Sequence, residues 1–272
     1  MVVEGRLRIC GIQAVESCDS ERARVQKVSD LGFAAAKKLI RALSWQEDEI
    51  RLLLLFTQTS DYLIPSTASL LQKRLQIGSD CLVYDVNAGA DSFAKAFRMS
   101  DAMMNAMDED ARGILVFSDA YREDEKKHAV AVAVQRDEKQ KMRIFGVSFS
   151  DWSDRFVAEE KYCSATLKQP IGEELIQAAY EDWRKLLHES STDDMASVEI
   201  KSLDVRENHS ESVLCELVKK YSGEPMRCSL FSAGAGVSVG GLSFLCQEKI
   251  YCDWDSTDEN YDDLQHDRVL DQ

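Results

Sequence analysis

Few of the 272 residues have the chemistry of an active site, and those that do are scattered. The eight cysteines are Cys10, Cys18, Cys81, Cys163, Cys215, Cys228, Cys246 and Cys252. None forms a C-x-x-C pair and several sit in apolar, strand-like runs, which reads as buried, reduced thiols of a cytoplasmic protein. The four histidines, His128, His188, His209 and His266, share no metal-ligand spacing, so no metal and no other cofactor is expected. The stretch YDVNAGADSF, Tyr84 to Phe93, has the form in which an α/β enzyme mounts a nucleophile. An apolar run (Cys81 to Val86) leads into a small-residue turn and then a helical pattern. A thiol placed there would lie at a helix N-terminus, whose dipole favours the thiolate. The turn instead delivers Ala90. Ser92 follows but has no identifiable base, and a serine without one is a weak nucleophile. Cys81 opens an apolar strand, and Cys163 lies in the polar stretch EEKYCSATL. Gly234, Gly236, Gly240 and Gly241 lack a Walker lysine and connect strand to strand, so they are not a phosphate loop.

Stepping outward, these residues must be positioned by an α/β sheet. LRICGIQAV (7–15) reads as a strand, and Val25, Val28, Leu31, Ala35, Leu39 and Leu43 recur at helical spacing. IRLLLLFTQ (50–58) is a continuous apolar run that suits a strand covered on both faces. Pro65, Ser66 and Thr67 start a helix, ASLLQKRLQI. CLVYDV (81–86) is the next buried strand, and a helix runs from Ala90 to Met107. GILVFSD (113–119), HAVAVAVQR (128–136) and MRIFGVSFSD (142–151) are strands, giving β-α-β-α-β-α-β-β. The second half repeats the plan with fewer elements: a helix over 171–188, a strand over 197–205, a helix over 209–221 and strands over 226–233 and 237–246. The expected organisation is a first half over residues 1–150, a second, shorter half over 151–252, and an acidic tail over 253–272. That tail holds eight Asp or Glu and little apolar content, so it is expected to be frayed. The net charge of −15 argues against nucleic acid and anionic lipid as partners. No segment approaches the ~20 consecutive apolar residues of a membrane span. The opening MVVEGRLRICGIQAV lacks the pattern of a secretory signal.

The stretch FTQTSDYLIPSTASLLQKRLQIGSDCLVYDVNAGADSFAKAFRMSDAMM (56–104) resembles the N-terminal half of the β-ketoacyl-[acyl carrier protein] synthase III family. The matching features come in order: a strand ending in Thr57 with Thr59 after it, then Tyr62-Leu63-Ile64-Pro65-Ser66 leading into a helix, then Leu75-Gln76-Ile77, then Asp85-Val86-Asn87-Ala88-Gly89. SLFSAGAGVSVGGLSFL (229–245) is similar to the closing glycine-rich hairpin of that family. The resemblance implies the thiolase fold, two pseudo-repeated halves layered αβαβα, with the second half shortened.

The departures carry the functional expectation. In the family a cysteine follows the Asn-Ala-Gly turn and takes the acyl group from a thioester; here that position is Ala90, with Asp91 next to it. The family's histidine position falls at Glu207 when the helix is aligned on Lys219-Lys220, and His209 lies two residues on, so a shift of one or two residues restores it. The Gly-Asn-Thr-Ser-type motif is absent, as though the chain passed from KKYSGEP straight into MRCSLFSAGAG. Gly234, Ala235 and Gly236 mark the hairpin loop that lies beside the acyl site in the family and there supplies oxyanion donors. The resemblance therefore implies a non-catalytic subunit paired with an intact ketoacyl synthase III-like paralogue, in bacterial secondary metabolism. Family members pair through the edge strand near CLVYDV, and the loop at Leu63, Ile64 and Pro65 reaches the partner's acyl pocket. Tyr84, Asp85 and Asn87 would border that interface. Acyl-CoA or acyl carrier protein would be met through the partner. Two alternatives stay open. One is a homodimer that binds acyl-CoA or acyl carrier protein without turnover. The other is an acyltransferase using Ser92, Cys81 or Cys163. Ile64 packing into this chain's own core is a further alternative to its reaching a partner.

Restoring the thiol with Ala90→Cys is expected to give a pKa above the ordinary value of about 8.5, because the Asp91 carboxylate disfavours the thiolate. The pH dependence of iodoacetamide labelling measures it, and a normal or depressed pKa contradicts the expectation.

Overall fold

The run IRLLLLF at residues 50–56 is apolar on both sides of a strand, so both faces need cover. The computed structural model describes residues 2–17, 26–87, 92–119, 127–139, 142–148, 156–159, 164–167, 173–189, 196–202, 210–234 and 238–256. In chain order the elements are β1 (Val2–Gly5), β2 (Leu7–Glu16), α1 (Val28–Ala42), β3 (Ile50–Phe56), α2 (Thr67–Arg74), β4 (Leu82–Val86) and α3 (Ser92–Met104). Then come β5 (Arg112–Asp119), β6 (His128–Arg136), β7 (Met142–Ser148), β8 (Phe156–Glu159), β9 (Ser164–Leu167) and α4 (Glu173–Glu189). The chain continues with β10 (Ala196–Ser202), α5 (Ser210–Tyr221), β11 (Met226–Gly234), β12 (Ser238–Leu245) and β13 (Tyr251–Ser256).

Two sheets result. The first has the order β13-β2-β6-β5-β3-β4 and the second β1-β7-β12-β11-β10, with β8 and β9 forming a separate antiparallel pair. Helix α1 presents Val28, Leu31, Ala35 and Leu39 at helical spacing and buries them, together with Leu71 of α2, against Leu53, Leu55, Ile114 and Val116. The other face of the first sheet shows Leu52, Leu54, Phe56, Leu115 and Phe117. It shares one core with Ile144, Leu230 and Leu242 of the second sheet, and with Phe93 and Phe97 of α3 and Leu214 and Val218 of α5. Helix α4 covers the remaining face, where Trp183 is fully buried and its ring lies 5.4 Å from that of Phe231. The layers run helix, sheet, helix, sheet, helix, as the resemblance implies.

The two halves repeat. Pairing is parallel for β3–β5, then antiparallel for β5–β6 and β6–β2. It is likewise parallel for β10–β11, then antiparallel for β11–β12 and β12–β7. Helix α3 precedes β5 in the middle layer, and α5 precedes β11 in the same layer. Among the described residues, the second half has no counterpart of α2 or of the edge strand β4. The expected gap between Tyr221 and Met226 is thus moved. The elements without counterparts belong between β10 and α5, because α5 is a middle-layer helix like α3. Periodicity showed that α5 has an apolar face but not which sheets would cover it.

Three further expectations change. The sheets do not divide at residue 150, because β1 and β7 join the second sheet and β13 joins the first. The acidic end does not begin at Asp253. Tyr251–Ser256 pair parallel with β2, the Tyr251 hydroxyl donates to Gln13 Oε1 at 3.0 Å, and Asp255 pairs with Lys38. Residues 257–272 lie outside the described residues. Strand β4 is not buried: it is the sheet edge, and Leu82 and Tyr84 are 43% and 45% exposed.

Gly241 of β12 lies directly under Trp183, where a Cβ would come within 2.4 Å of the indole Nε1. Gly241→Ala is expected to destabilise the protein by about 1–3 kcal/mol through overpacking, read by urea denaturation. Combining it with Trp183→Leu should return less than the sum of the two losses, because the clash then has no partner.

Candidate functional site

Strands β3, β4 and β5 run parallel, so their carboxyl ends open on one side of the first sheet, where ligands commonly bind in α/β proteins. Helix α3, the next described element after β4, begins at Ser92. At the ends of β3 and β5 the rings of Phe56 and Phe117 stack at 5.1 Å and belong to the core shared by the two sheets.

One carboxylate organises the loop that leaves β3. Asp119 Oδ1, at the end of β5, accepts from the Gln58 amide at 2.7 Å, the Thr57 hydroxyl at 3.0 Å and the Thr59 hydroxyl at 3.3 Å. Thr57 Oγ1 in turn accepts from the Thr59 amide at 3.1 Å, and the Thr57 amide donates to the Val86 carbonyl at 3.1 Å. The loop thus leaves the sheet with its first turn tied to both neighbouring strands. Further on, the Asp61 amide donates to Thr67 Oγ1 at 3.0 Å.

A second carboxylate fixes where the loop ends. Asp85 of β4 accepts from the Thr67 amide at 2.8 Å and the Ala68 amide at 2.6 Å, two of the unpaired donors at the start of α2. Ser66 Oγ accepts from the Ser69 amide at 3.3 Å as the N-cap. Asp85 is therefore turned into its own chain, at the edge where an interface was expected, and Asn87 beside it is exposed.

Between these anchors the loop presents apolar side chains to solvent. Lys27 Nζ donates to the Tyr62 hydroxyl at 2.8 Å and lies 5.0 Å from its ring. Leu63 and Ile64 are 94% and 91% exposed, and the Ile64–Pro65 peptide is cis. Ile64 does not pack into this chain's own core.

The expected catalytic positions lie largely elsewhere. Ala90, Glu207, His209, Ala235 and Gly236 lie outside the described residues, as does Cys163. Gly234 ends β11 opposite Ser238. Ser92 is the first residue of α3. Cys81 is buried, its Sγ donates to the Leu82 carbonyl at 3.6 Å, and burial pushes its pKa up to about 12. It is therefore a protonated thiol at neutral pH, which argues against a nucleophilic role. No cluster among the described residues could hold a metal ion, and no helix there is long and apolar enough to cross a membrane. Residue-type reasoning missed Asp119. An acidic residue closing the apolar run GILVFSD, next to strands ending in Thr57 and Asn87, was the available signal.

The order of the strands, the two shared middle-layer helices and the repeated halves define a thiolase-like fold. Solved structures bear this out. The chain matches 3-oxoacyl-(acyl carrier protein) synthase from Burkholderia xenovorans LB400 with a TM-score of 0.74, over 94% of this chain and 99% of that one, at 15% identity. It matches 3-oxoacyl-[acyl-carrier-protein] synthase III from Aquifex aeolicus VF5 with a TM-score of 0.67, over 89% and 100% of the two chains, at 16% identity. AbyA1, a tetronic acid condensing enzyme, gives a TM-score of 0.67 over 88% and 99%, at 13% identity. In sequence, the chain is 39% identical over 92 residues to β-ketoacyl-[acyl-carrier-protein] synthase III of Xanthomonas campestris pv. campestris, which is 34% of this chain. The chain spans about a quarter (27%) of the length of that curated relative. No family model matches the chain.

Asp119→Ala removes the acceptor for one amide and two hydroxyls. It is expected to cost about 2–4 kcal/mol, because Thr57 is buried and its hydroxyl is left without this partner. Hydrogen exchange should accelerate at residues 57–61 more than at α1, and equal protection in both proteins contradicts this role of Asp119.

Proposed function

We propose that this chain is a non-catalytic subunit that pairs with an intact ketoacyl synthase III-like protein and shapes that partner's acyl pocket. The observation that carries the reading is the edge of the first sheet. Among the described residues strand β4 has a neighbour on one side only; it shows Leu82 and Tyr84 to solvent and connects through the Asp85 cap to the loop that holds out Leu63 and Ile64. An apolar edge strand is an association site unless something covers it. At β10, the edge of the second sheet, Glu199 pairs with Arg184 of α4 at 2.9 Å, and the exposed Ala196 and Ser197 offer no large apolar side chain.

The sequence supports the division of labour. Ala90 supplies no thiol at the head of α3, and the buried, high-pKa Cys81 is a poor replacement. Acyl transfer by nucleophilic catalysis needs an activated nucleophile, and in this reading the partner brings it. The chain's contribution is binding: Ile64 and Leu63, fixed at both ends by Asp119 and Asp85, form a preorganised apolar finger. Preorganisation lowers the ordering cost of association. Acyl-CoA or acyl carrier protein meets the complex through the active subunit, and the condensation serves bacterial secondary metabolism.

Co-expression with the nearest-encoded intact ketoacyl synthase III-like protein, followed by sizing and mass spectrometry, tests this. The expected result is a one-to-one complex in which acyl groups load only onto the partner's cysteine. A homodimer indifferent to that protein contradicts the reading. Ile64→Glu should weaken the complex at least tenfold, as expected for an apolar anchor. Its circular dichroism should stay unchanged, since the side chain touches little of its own chain.

A further inference from the structure

Two cysteine pairs stand far apart in sequence and close in space. The Sγ atoms of Cys215 and Cys252 lie 2.8 Å apart, and so do those of Cys228 and Cys246. All four are free thiols. A disulfide needs about 2.05 Å between sulfurs, so each pair requires only a small approach to close. The pairs differ in access. Cys228, in β11, and Cys246, just after β12, are both fully buried. Cys215 is buried on the inner face of α5, whereas Cys252 is half-buried in β13, at the edge of the first sheet.

We propose that Cys215 and Cys252 form a redox modification site, a dithiol that closes to a disulfide by exchange with a small disulfide of the glutathione class. The step balances through a mixed disulfide. The more accessible Cys252, held well above its ordinary pKa by its hydrogen bond to Cys215 and by burial, must first lose its proton to solvent; its thiolate then attacks one sulfur of oxidised glutathione and releases one glutathione, which makes this the slow step. The Cys215 thiolate then attacks Cys252 Sγ and releases the second. The two protein thiols give up two protons and two electrons, and one oxidised glutathione becomes two reduced ones. The surroundings favour the second attack. In the reduced pair the hydrogen bond from Cys252 holds the Cys215 thiol below its ordinary pKa; once Cys252 carries glutathione that bond is gone, and Lys219, one turn along α5, still favours the Cys215 thiolate. Cys252 also reaches the Cys215 carbonyl at 3.2 Å, so its sulfur already sits over the helix.

The bond has a structural consequence. Strand β13 brings the chain's late residues back to the first sheet. It is held there by its ladder with β2, by Tyr251 on Gln13, by Asp255 on Lys38 and by the Ile250 amide on Ser222 Oγ at 2.6 Å. All of these can open. A Cys215–Cys252 disulfide would fasten β13 to a middle-layer helix and make its release depend on reduction. Closing a loop of this length constrains the unfolded chain substantially.

The test equilibrates the purified full-length protein, under native conditions, with oxidised glutathione. It then quenches with acid, alkylates the remaining thiols and maps peptides by mass spectrometry. The expected result is one peptide pair joined through Cys215 and Cys252, absent after dithiothreitol. Its formation should raise the midpoint of thermal unfolding by about 5 °C or more. Both thiols recovered alkylated, or Cys252 recovered as a stable glutathione adduct with Cys215 alkylated, overturns the proposal. Cys252→Ser, which keeps the size of the side chain, should abolish the glutathione-dependent thermal shift; an equal shift in that variant also overturns it.

Discussion

Two sheets share one apolar layer, and the rest of the molecule follows from the need to fill it. Phe93 and Phe97 from α3 and Leu214 and Val218 from α5 are enclosed between Leu52, Leu54 and Leu115 on one side and Leu230 and Leu242 on the other. Each such side chain is worth roughly 1.5–3 kcal/mol when fully buried. Neither sheet could expose that face to water alone. The demand fixes where α3 lies, in the chain directly beyond the open ends of the parallel strands. A platform for chemistry persists there because packing requires it, whether or not a nucleophile is mounted on it.

The same layer explains how the second half tolerates fewer elements. Among the described residues β10 has no counterpart of α2 or β4 after it and is an edge, and the chain still returns to the middle layer through α5. The lost elements belong to the sheet's margin and its outer cover, not to the shared core. In the first half those same elements are present, and they carry the exposed apolar surface. Asp119 and Asp85 hold the loop rigid at its two ends, one at the mouth of β5 and one at the start of α2. Between those polar anchors Leu63 and Ile64 are held out in solvent, which is the feature the proposed pairing uses.

Much of this was legible in the sequence. Apolar runs such as IRLLLLF and HAVAVAVQR gave β3 and β6 because strands buried on both faces leave an unbroken signature. The helices announced themselves by periodicity in Val28, Leu31, Ala35 and Leu39. Strand β13 was hidden because YCDWDS reads as acidic and polar; its stability comes from pairing with β2 and from Lys38 and Gln13, all distant in sequence. CLVYDV looked buried because composition cannot distinguish a central strand from an apolar edge. Asp119 was missed because its role depends on three partners about sixty residues away. An isoleucine before a helix start could equally pack inward, and the structure shows Ile64 exposed instead, because the loop is tied back at both ends and carries it away from the core.

The account stands on the apolar edge at β4 being a surface that another protein covers. The most direct measurement is hydrogen exchange at the amides of residues 82–86, in the chain alone and after addition of the intact ketoacyl synthase III-like protein. The account predicts rapid exchange along the unpaired side of β4 in the chain alone and strong protection in the mixture, with α1 unchanged. Equal exchange at β4 in both samples would contradict it.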